Sequence, residues 1–187
     1  MAQENGHKPD SLSFITPKFM EVLDLFLEEP MQEFHEREVV RKTGVSKGSV
    51  NKILRTLANM NMLMREKKGR MVFYKLNWED PVVRQFKILR NVYPLRGVVN
   101  ELKSNSKKIV LFGSCAQGSD VKSSDIDLFI LTSEKDQVRK KIGVFNRKAV
   151  RKIAPIVVNS NELVKLKHED KALYDNIDRG IVLWQAE

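Results

Sequence analysis

Two aspartates, Asp125 and Asp127, are separated by one residue within the otherwise apolar run DIDLFIL. Side chains alternate across a β-strand, so the two carboxylates are predicted to share one face while Ile126 and Leu128 point into the core. Two carboxylates this close repel each other unless a cation lies between them, and Mg²⁺ prefers one or two carboxylates together with phosphate oxygens and water. The pair is therefore predicted to bind magnesium and to serve phosphoryl-transfer chemistry.

A second group of residues, just before the aspartates, has the features of a phosphate-binding turn. The run 108–112 is predicted to be a buried strand, and Gly113 and Ser114 follow it directly. Glycine permits close approach of the backbone, and exposed N–H groups with a serine hydroxyl can hold a phosphate. Gly118 fits a second tight turn. A strand edge protected by two aspartates is the alternative, which the neighbouring phosphate turn disfavours.

Together these residues resemble the signature of the DNA polymerase beta nucleotidyltransferase superfamily, and most closely its minimal, antitoxin-like branch. That signature is Gly-Ser, ten residues and Asp-x-Asp, and the segment GSCAQGSDVKSSDID satisfies it. The tail NIDRGIVLW is also similar to that branch, so the resemblance covers residues 98–187. It implies that the nucleotide-binding residues are Gly113, Ser114, Gly118 and Ser124, and that the catalytic and metal-binding residues are Asp125 and Asp127.

The resemblance implies a Mg²⁺-dependent enzyme that uses ATP or another NTP and transfers AMP to a hydroxyl of a protein, such as a toxin-like partner. Many superfamily enzymes carry a third carboxylate on a later strand, and the candidate strand here, residues 152–159, contains no acid. This difference favours a second hypothesis, a transcription regulator or antitoxin whose nucleotidyltransferase-like domain senses a nucleotide or binds a partner without turnover. The intact Gly-Ser and Asp-x-Asp pattern favours the enzyme.

The first eighty residues predict a different set of elements. Gly44 supplies a turn before the last of three helices, and two strand-like runs in MLMREKKGRMVFYKLN then form a hairpin. This order resembles the winged helix-turn-helix family of transcription regulators over residues 16–77. By that resemblance, residues 46–60 are the recognition helix and residues 65–74 the wing. The three helices are predicted to begin at Thr16-Pro17, His35 and Ser46.

The charge of this part of the chain changes abruptly. Residues 16–40 contain two basic and seven acidic residues, whereas residues 41–75 contain ten basic residues and a single acid, in a chain of net charge +9. Positive charge on the third helix and the hairpin suits DNA phosphates and base edges, while a protein-binding module with a solvated basic face is the alternative. The predicted DNA-binding residues are Lys47, Ser49, Asn51, Lys52, Arg55, Lys67, Lys68 and Arg70.

The remaining segments predict further helices. The helix opened by Asp80-Pro81 is expected to be apolar at Val82, Val83, Phe86, Leu89, Val92 and Tyr93. Segment 134–152 carries eight basic residues and is either a polyanion-binding segment or a helix packed through Val138, Ile142, Val144, Phe145 and Val150. NELVKLKHEDKALYDNIDRG is predicted to be one helix ended by Gly180, before a final strand IVLW.

The whole pattern predicts an α+β chain of two domains, a winged helix-turn-helix and a minimal nucleotidyltransferase fold with a small mixed sheet and flanking helices. No apolar run reaches the roughly 18 residues of a membrane span, and the N-terminus lacks a signal peptide's apolar core, so we expect a cytoplasmic protein without a membrane partner. A homodimer would place two recognition helices on DNA, and the sequence leaves it open. The predicted bounds are 1–15 for a flexible tail, 16–79 for the first domain, 80–97 for a connecting helix and 98–187 for the second domain.

Overall fold

The computed structural model describes residues 12–186, and the chain divides into two units between Asp80 and Pro81. Each unit combines helices with a small sheet, so the predicted α+β class is confirmed. The predicted tail falls outside the described residues up to position 11, and Leu12–Phe14 form a short 3-10 turn. Within residues 12–186, the helices are all too short or too polar to cross a membrane.

From residue 15 to Asp80, the first unit consists of three α-helices and a three-stranded antiparallel sheet. Its elements are α1 (Pro17–Glu28), β1 (Glu33–His35), α2 (Glu36–Thr43), α3 (Lys47–Asn59), β2 (Leu63–Lys68) and β3 (Met71–Leu76). The central strand is β3, which pairs with β2 in the predicted hairpin and with β1 on its other side. Strand β1 was not predicted, because three residues are too few to show a strand period.

Local signals explain where these helices begin and end. The Thr16 hydroxyl accepts a hydrogen bond from the N–H of Phe19 at 3.2 Å, and proline occupies the first position of α1. Helix α2 ends at Gly44, whose φ of +71° is a left-handed conformation that favours glycine. Ser46 precedes α3 as predicted, but its hydroxyl donates to Ser49 Oγ and caps no helix N–H.

The second unit is a four-stranded mixed sheet with helices on both faces. Strands β5 and β6 are parallel, whereas β4 is antiparallel to both of its neighbours in the order β6-β5-β4-β7. This is the small mixed sheet that the sequence predicts. The elements are α4 (Pro81–Val92), α5 (Arg96–Leu102), β4 (Lys108–Leu111), α6 (Gly113–Gln117), β5 (Ile126–Leu131), α7 (Lys135–Lys148), β6 (Ile153–Val158), α8 (Ser160–Glu169), α9 (Lys171–Asp178) and β7 (Ile181–Gln185).

Alternation along β4 and β5 gives the sheet two apolar faces. Leu128 belongs to the larger core, which includes residues of α5 and α7, while Phe129 packs with Ile177 of α9 on the other face. Asp127 has the same strand parity as Phe129, so it lies on the α9 face of the sheet. Ile126 packs against the larger core, as predicted.

Three helical predictions need correction. The single helix predicted before Gly180 is two helices, because Asp170 leaves the helical conformation and its carboxylate accepts from the N–H of Leu173 at 2.9 Å, which starts α9. Helix α7 packs through Val138 and Ile142, but Val144 and Val150 are exposed. The chain leaves α7 at Lys148, so Val150 no longer follows the helical period.

Helix α4 also buries a different face from the predicted one. Val83 and Phe86 are buried as expected, but Leu89 and Tyr93 are exposed, as is Val82. The buried side instead includes Lys87 and Asn91. Helix α4, the turn Tyr93–Leu95 and α5 all fall within the second unit, which begins at Pro81.

Candidate active site

The turn after β4 and the beginning of β5 meet at one end of the sheet. Gly113 is the first residue of α6 and has φ +67°, and a Cβ at this position would collide with Oδ2 of Asp127 and lie 3.3 Å from its Cγ. The N–H of Phe112 donates to the carbonyl of Asp127 at 3.1 Å, which fixes the turn on the strand. The predicted phosphate turn and one predicted metal ligand are therefore in direct contact.

The two carboxylates lie in different surroundings. Asp125 is exposed and precedes β5 by one residue, whereas Asp127 is half-buried within the strand. Burial raises the pKa of Asp127 above that of an ordinary aspartate, and the nearby charge of Asp125 raises it further. The ionised pair is thus electrostatically unfavourable unless positive charge is added.

The donor set of this pair fits Mg²⁺. Two carboxylates offer the hard oxygen ligands that Mg²⁺ prefers, and the missing Cβ of Gly113 leaves space beside Asp127 Oδ2 for a further ligand. In the part of the chain that the structure describes, no group of three or more His, Cys, Asp or Glu side chains could hold a metal ion.

Of the other predicted nucleotide-binding residues, Ser114 lies at the turn, whereas Ser124 and Gly118 make structural contacts. Ser114 follows Gly113 in α6 and is half-buried beside the turn. The Ser124 hydroxyl accepts from the N–H of Val121 at 2.9 Å, and the Ser124 N–H donates back to the Val121 carbonyl, so this side chain closes a loop turn. Gly118 ends α6 with φ +68°, and a Cβ there would lie 2.7 Å from the carbonyl oxygen of Arg84 in α4. The glycine at this position allows α6 to pack on α4.

Replacing Gly118 by alanine is expected to destabilise the second unit by about 2–4 kcal/mol. The left-handed backbone conformation is strained for alanine, and the added Cβ would crowd the backbone of α4. Thermal unfolding of the full chain measures this change. Gly143→Ala is the matched control, because Gly143 is inside α7 and a Cβ there meets nothing within 4 Å. Alanine in a helix interior should be neutral or stabilising by up to about 1 kcal/mol. Equal unfolding midpoints for the two variants would contradict the packing role of Gly118.

A cleft of about 240 Å³ opens beside the phosphate turn and is lined by Gly113, Ala116, Gln117, Asn176, Arg179 and Gly180. Strand β7 pairs with β4, and Ile181 lies opposite Leu111, which brings the end of α9 to the end of β4. The amide of Asn176 and the guanidinium of Arg179 thus join the turn on the same face as Asp127. Sequence reasoning missed both residues, although they belong to the tail string NIDRG.

A buried polar cluster, defined as Lys87, Asn91, Asp120 and Arg151, lies beneath the loop that precedes Asp125. Lys87 Nζ is 3.5 Å from Asp120 Oδ1 and also donates to the Asp120 carbonyl, while Asn91 Nδ2 donates to Asp120 Oδ1 at 2.8 Å. Arg151 Nη1 lies 3.2 Å from Asp120 Oδ2. Burial lowers the pKa of Lys87, and the charge of Asp120 opposes that change. No local sequence pattern indicates this cluster, because its members are spread over 65 residues.

The predicted DNA-binding residues lie on α3 and on the β2–β3 hairpin of the first unit. Two α3 side chains are partly engaged within the unit, since the Asn51 amide donates to Glu36 and Ser49 Oγ accepts from Ser46. On the hairpin, Lys68 Nζ lies 2.6 Å from Glu33. The remaining predicted residues are exposed and basic, namely Lys47, Lys52, Arg55, Lys67 and Arg70.

Comparison with known proteins finds a family match in the C-terminal part of the chain. Residues 98–187 match the family described as polymerase beta, nucleotidyltransferase. No curated protein matches the chain. The polymerase beta nucleotidyltransferase domain predicted at residues 98–187 is thereby supported.

Several solved structures show weak likeness to the chain. BpsR of Bordetella bronchiseptica, whose DNA binding is regulated by 6-hydroxynicotinic acid, is 19% identical over 50% of this chain and 62% of its own, with a TM-score of 0.35. A nucleotidyltransferase candidate from Sulfolobus solfataricus is 18% identical over 56% of this chain and 86% of its own, also at 0.35. The ferric uptake regulator of Francisella tularensis, solved with iron, is 15% identical over 87% of this chain and 98% of its own, with a TM-score of 0.33.

Proposed function

We propose that the polymerase beta nucleotidyltransferase domain at residues 98–187 transfers a nucleoside monophosphate, AMP from ATP, to a hydroxyl of a protein acceptor. The observation that carries this proposal is the direct contact between Gly113 and the Asp127 carboxylate. Transfer of this kind requires a phosphate-binding turn and a metal-binding carboxylate pair side by side, because catalysis consists mainly of positioning and charge stabilisation.

Each residue of the site has a defined task in this reaction. Backbone N–H groups of the turn and the hydroxyl of Ser114 hold the terminal phosphates, and Asp125 and Asp127 would hold Mg²⁺. When bound, Mg²⁺ supplies positive charge that offsets the charge of the carboxylates and the triphosphate. The acceptor oxygen forms a bond to the α-phosphorus, the bond from that phosphorus to the β-bridging oxygen breaks, pyrophosphate leaves, and the hydroxyl proton passes to solvent.

The cleft beside Gly113 is proposed to bind the rest of the nucleotide. It lies on the Asp127 face of the sheet and is lined by Asn176 and Arg179. A guanidinium suits a phosphate and an amide suits a base edge, so these two side chains complement the turn. Asn176 and Arg179 would then set the nucleotide preference of the site.

Transfer of label from α-labelled ATP, CTP, GTP and UTP with Mg²⁺ tests the enzyme. The assay is run with the full chain alone and with host lysate, beside the Asp125→Asn/Asp127→Asn variant. Label on one lysate protein that disappears with the variant would support transfer and identify the acceptor. Absence of transfer from all four nucleotides would contradict the enzyme.

A second candidate function is a regulator whose domain binds a nucleotide without turnover. The observation that favours it lies on β6, where Ala154 is paired opposite Asp127 and the strand IAPIVV carries no acid. A nucleotide that changes DNA affinity without being consumed would support this candidate. Measuring DNA binding with and without each nucleotide, alongside the transfer assay, separates the two functions.

We propose that the first unit is a winged helix-turn-helix that binds DNA, with α3 as recognition helix and the β2–β3 hairpin as wing. The support is its element order and the exposed basic side chains of Lys52 and Arg55 on α3 and of Lys67 and Arg70 on the hairpin. Such side chains can neutralise phosphates, and those of a helix in the major groove can also reach base edges.

Alanine at Lys52 or Arg55 is expected to weaken DNA binding about tenfold and to reduce the salt dependence of log K by about 1 for each charge that contacts a phosphate. Fluorescence anisotropy over a salt series measures both quantities. Lys165→Ala, which removes an exposed charge on α8, is the control and should leave both unchanged. Equal effects of all three variants would show that only total charge matters and would contradict recognition through α3.

A further inference from the structure

We propose that Arg151 is a positioning residue that holds helix α6, with its phosphate turn, and the segment before Asp125 at a fixed separation. The effect of Arg151 on transfer rests on the proposed function. Its effect on the loop at residues 119–125 can be measured without any reaction, as the protection of the loop amides from hydrogen exchange. Arg151 follows the end of α7 and precedes β6, far in sequence from the site that it would organise.

The guanidinium of Arg151 contacts both sides of the candidate active site. Its Nε donates to the carbonyl of Ser124 at 3.1 Å, directly before Asp125. Its Nη2 donates to Sγ of Cys115 at 2.9 Å, directly after Ser114. The thiol of Cys115 in turn donates to the carbonyl of Asp125 at 3.3 Å. One planar group thus connects the helix of the phosphate turn to the backbone of the metal-binding pair.

The guanidinium is itself held by the rest of the buried polar cluster. Its Nη1 lies 3.2 Å from Asp120 Oδ2 and donates to Asn91 Oδ1 at 3.0 Å. Asp120 is only 3% exposed, and Asn91 and Lys87 bind its other side. Helix α4, which supplies Asn91 and Lys87, therefore sets the orientation of the arginine fork.

Only arginine has the shape for this task. Its guanidinium presents five donors in a rigid plane, whereas the ammonium of lysine is a compact point charge on a flexible stem. A lysine at position 151 keeps the positive charge opposite Asp120, but it cannot reach Ser124, Cys115 and Asn91 together. Arg151→Lys thus separates geometry from charge.

The loop between the two parts of the site depends on this connection. Residues 119–124 include no helix or strand and are held by the Val121–Ser124 turn and by the buried polar cluster. Loss of the contacts made by the Arg151 guanidinium should let α6 and the start of β5 move relative to each other. A misplacement of about 1 Å in a catalytic site costs on the order of a hundredfold in rate.

The experiment is hydrogen exchange of the full chain, comparing wild type, Arg151→Lys and Arg147→Lys. Arg147 is an exposed arginine in the last turn of α7, so its replacement controls for the change of residue type. We expect Arg151→Lys to exchange at least about tenfold faster at residues 119–125 while strands β4 and β5 stay protected, as local opening predicts. The kcat of transfer should fall about a hundredfold, with a smaller change in KM for the nucleotide.

Two exchange patterns would overturn the role of Arg151. Wild-type exchange at residues 119–125 in Arg151→Lys would show that the fork does not hold the loop. Faster exchange across all four strands would show that Arg151 only stabilises the fold. A wild-type chain without transfer activity would contradict the proposed function alone, since the local exchange result would still decide the role of Arg151.

Discussion

Asparagine at both Asp125 and Asp127 is expected to reduce nucleotide transfer by at least about a thousandfold. The two carboxylates are the proposed ligands of Mg²⁺, whose stabilisation of the transition state amounts to several kcal/mol, and about 1.4 kcal/mol corresponds to a factor of ten in rate. Asparagine has nearly the same shape as aspartate, so the packing against Gly113 is retained. Initial rates with labelled nucleotide measure the loss, and Asp136→Asn on the exposed start of α7 is the control.

The same substitution should not destabilise the protein, which distinguishes this result from unfolding. Asp127 has a raised pKa in the folded state because of burial and the charge of Asp125. A carboxyl with a raised pKa binds its proton more tightly when folded, so without divalent cations the free energy of unfolding falls as pH rises from the ordinary aspartate range through that raised pKa. Asp127→Asn removes this pH dependence. At neutral pH its thermal unfolding midpoint should be at least as high as that of the wild type. A clear drop in its unfolding midpoint would show that the carboxylate is structural.

DNA affinity gives a further readout for this variant. The proposed DNA surface lies on α3 and the hairpin of the first unit, far in sequence from both aspartates. If transfer and DNA binding are separate activities, the double asparagine variant should bind DNA with unchanged affinity. If the domain instead senses a nucleotide, the variant should lose nucleotide-dependent changes in DNA binding, with no transfer to lose.

The sequence predicts the centre of the candidate site because its parts are close together in the chain. Gly113 and Asp127 belong to one segment of 15 residues, and the strand–turn–strand order places Gly113 in the turn after one strand and Asp127 on the next strand. The matching family covers this segment as well. Local spacing therefore carries the information that locates the phosphate turn beside the carboxylate pair.

The supporting residues could not be predicted in this way. Periodicity assigns apolar residues to the buried side of a helix, but α4 buries Lys87 and Asn91 and exposes Leu89. A buried lysine is tolerated here because Asp120, from a distant loop, balances its charge. Such compensation depends on a tertiary contact, and it leaves no pattern in either segment alone. Arg151 and Arg179 could not be predicted either, because their positions beside the site result from tertiary contacts.

Alanine at Gly113 is the second change with a large expected effect. Its Cβ would collide with Oδ2 of Asp127, so the carboxylate or the turn must move, and φ +67° adds strain of about 1–2 kcal/mol. We expect transfer to fall on the order of a hundredfold, as for a catalytic group displaced by about 1 Å. Initial rates and thermal unfolding of the full chain measure the two effects.

Gly44→Ala separates the collision from the backbone strain. Gly44 has φ +71°, close to that of Gly113, but a Cβ there meets nothing within 4 Å. Gly44→Ala should therefore lower the free energy of unfolding of the first unit by about 1–2 kcal/mol and leave transfer unchanged. If Gly113→Ala also retained full transfer, the close approach of the turn to Asp127 would have no role in catalysis. A loss of transfer only at Gly113 would mean that the position of the Asp127 carboxylate relative to this turn matters for the reaction, as the proposed roles of both groups require.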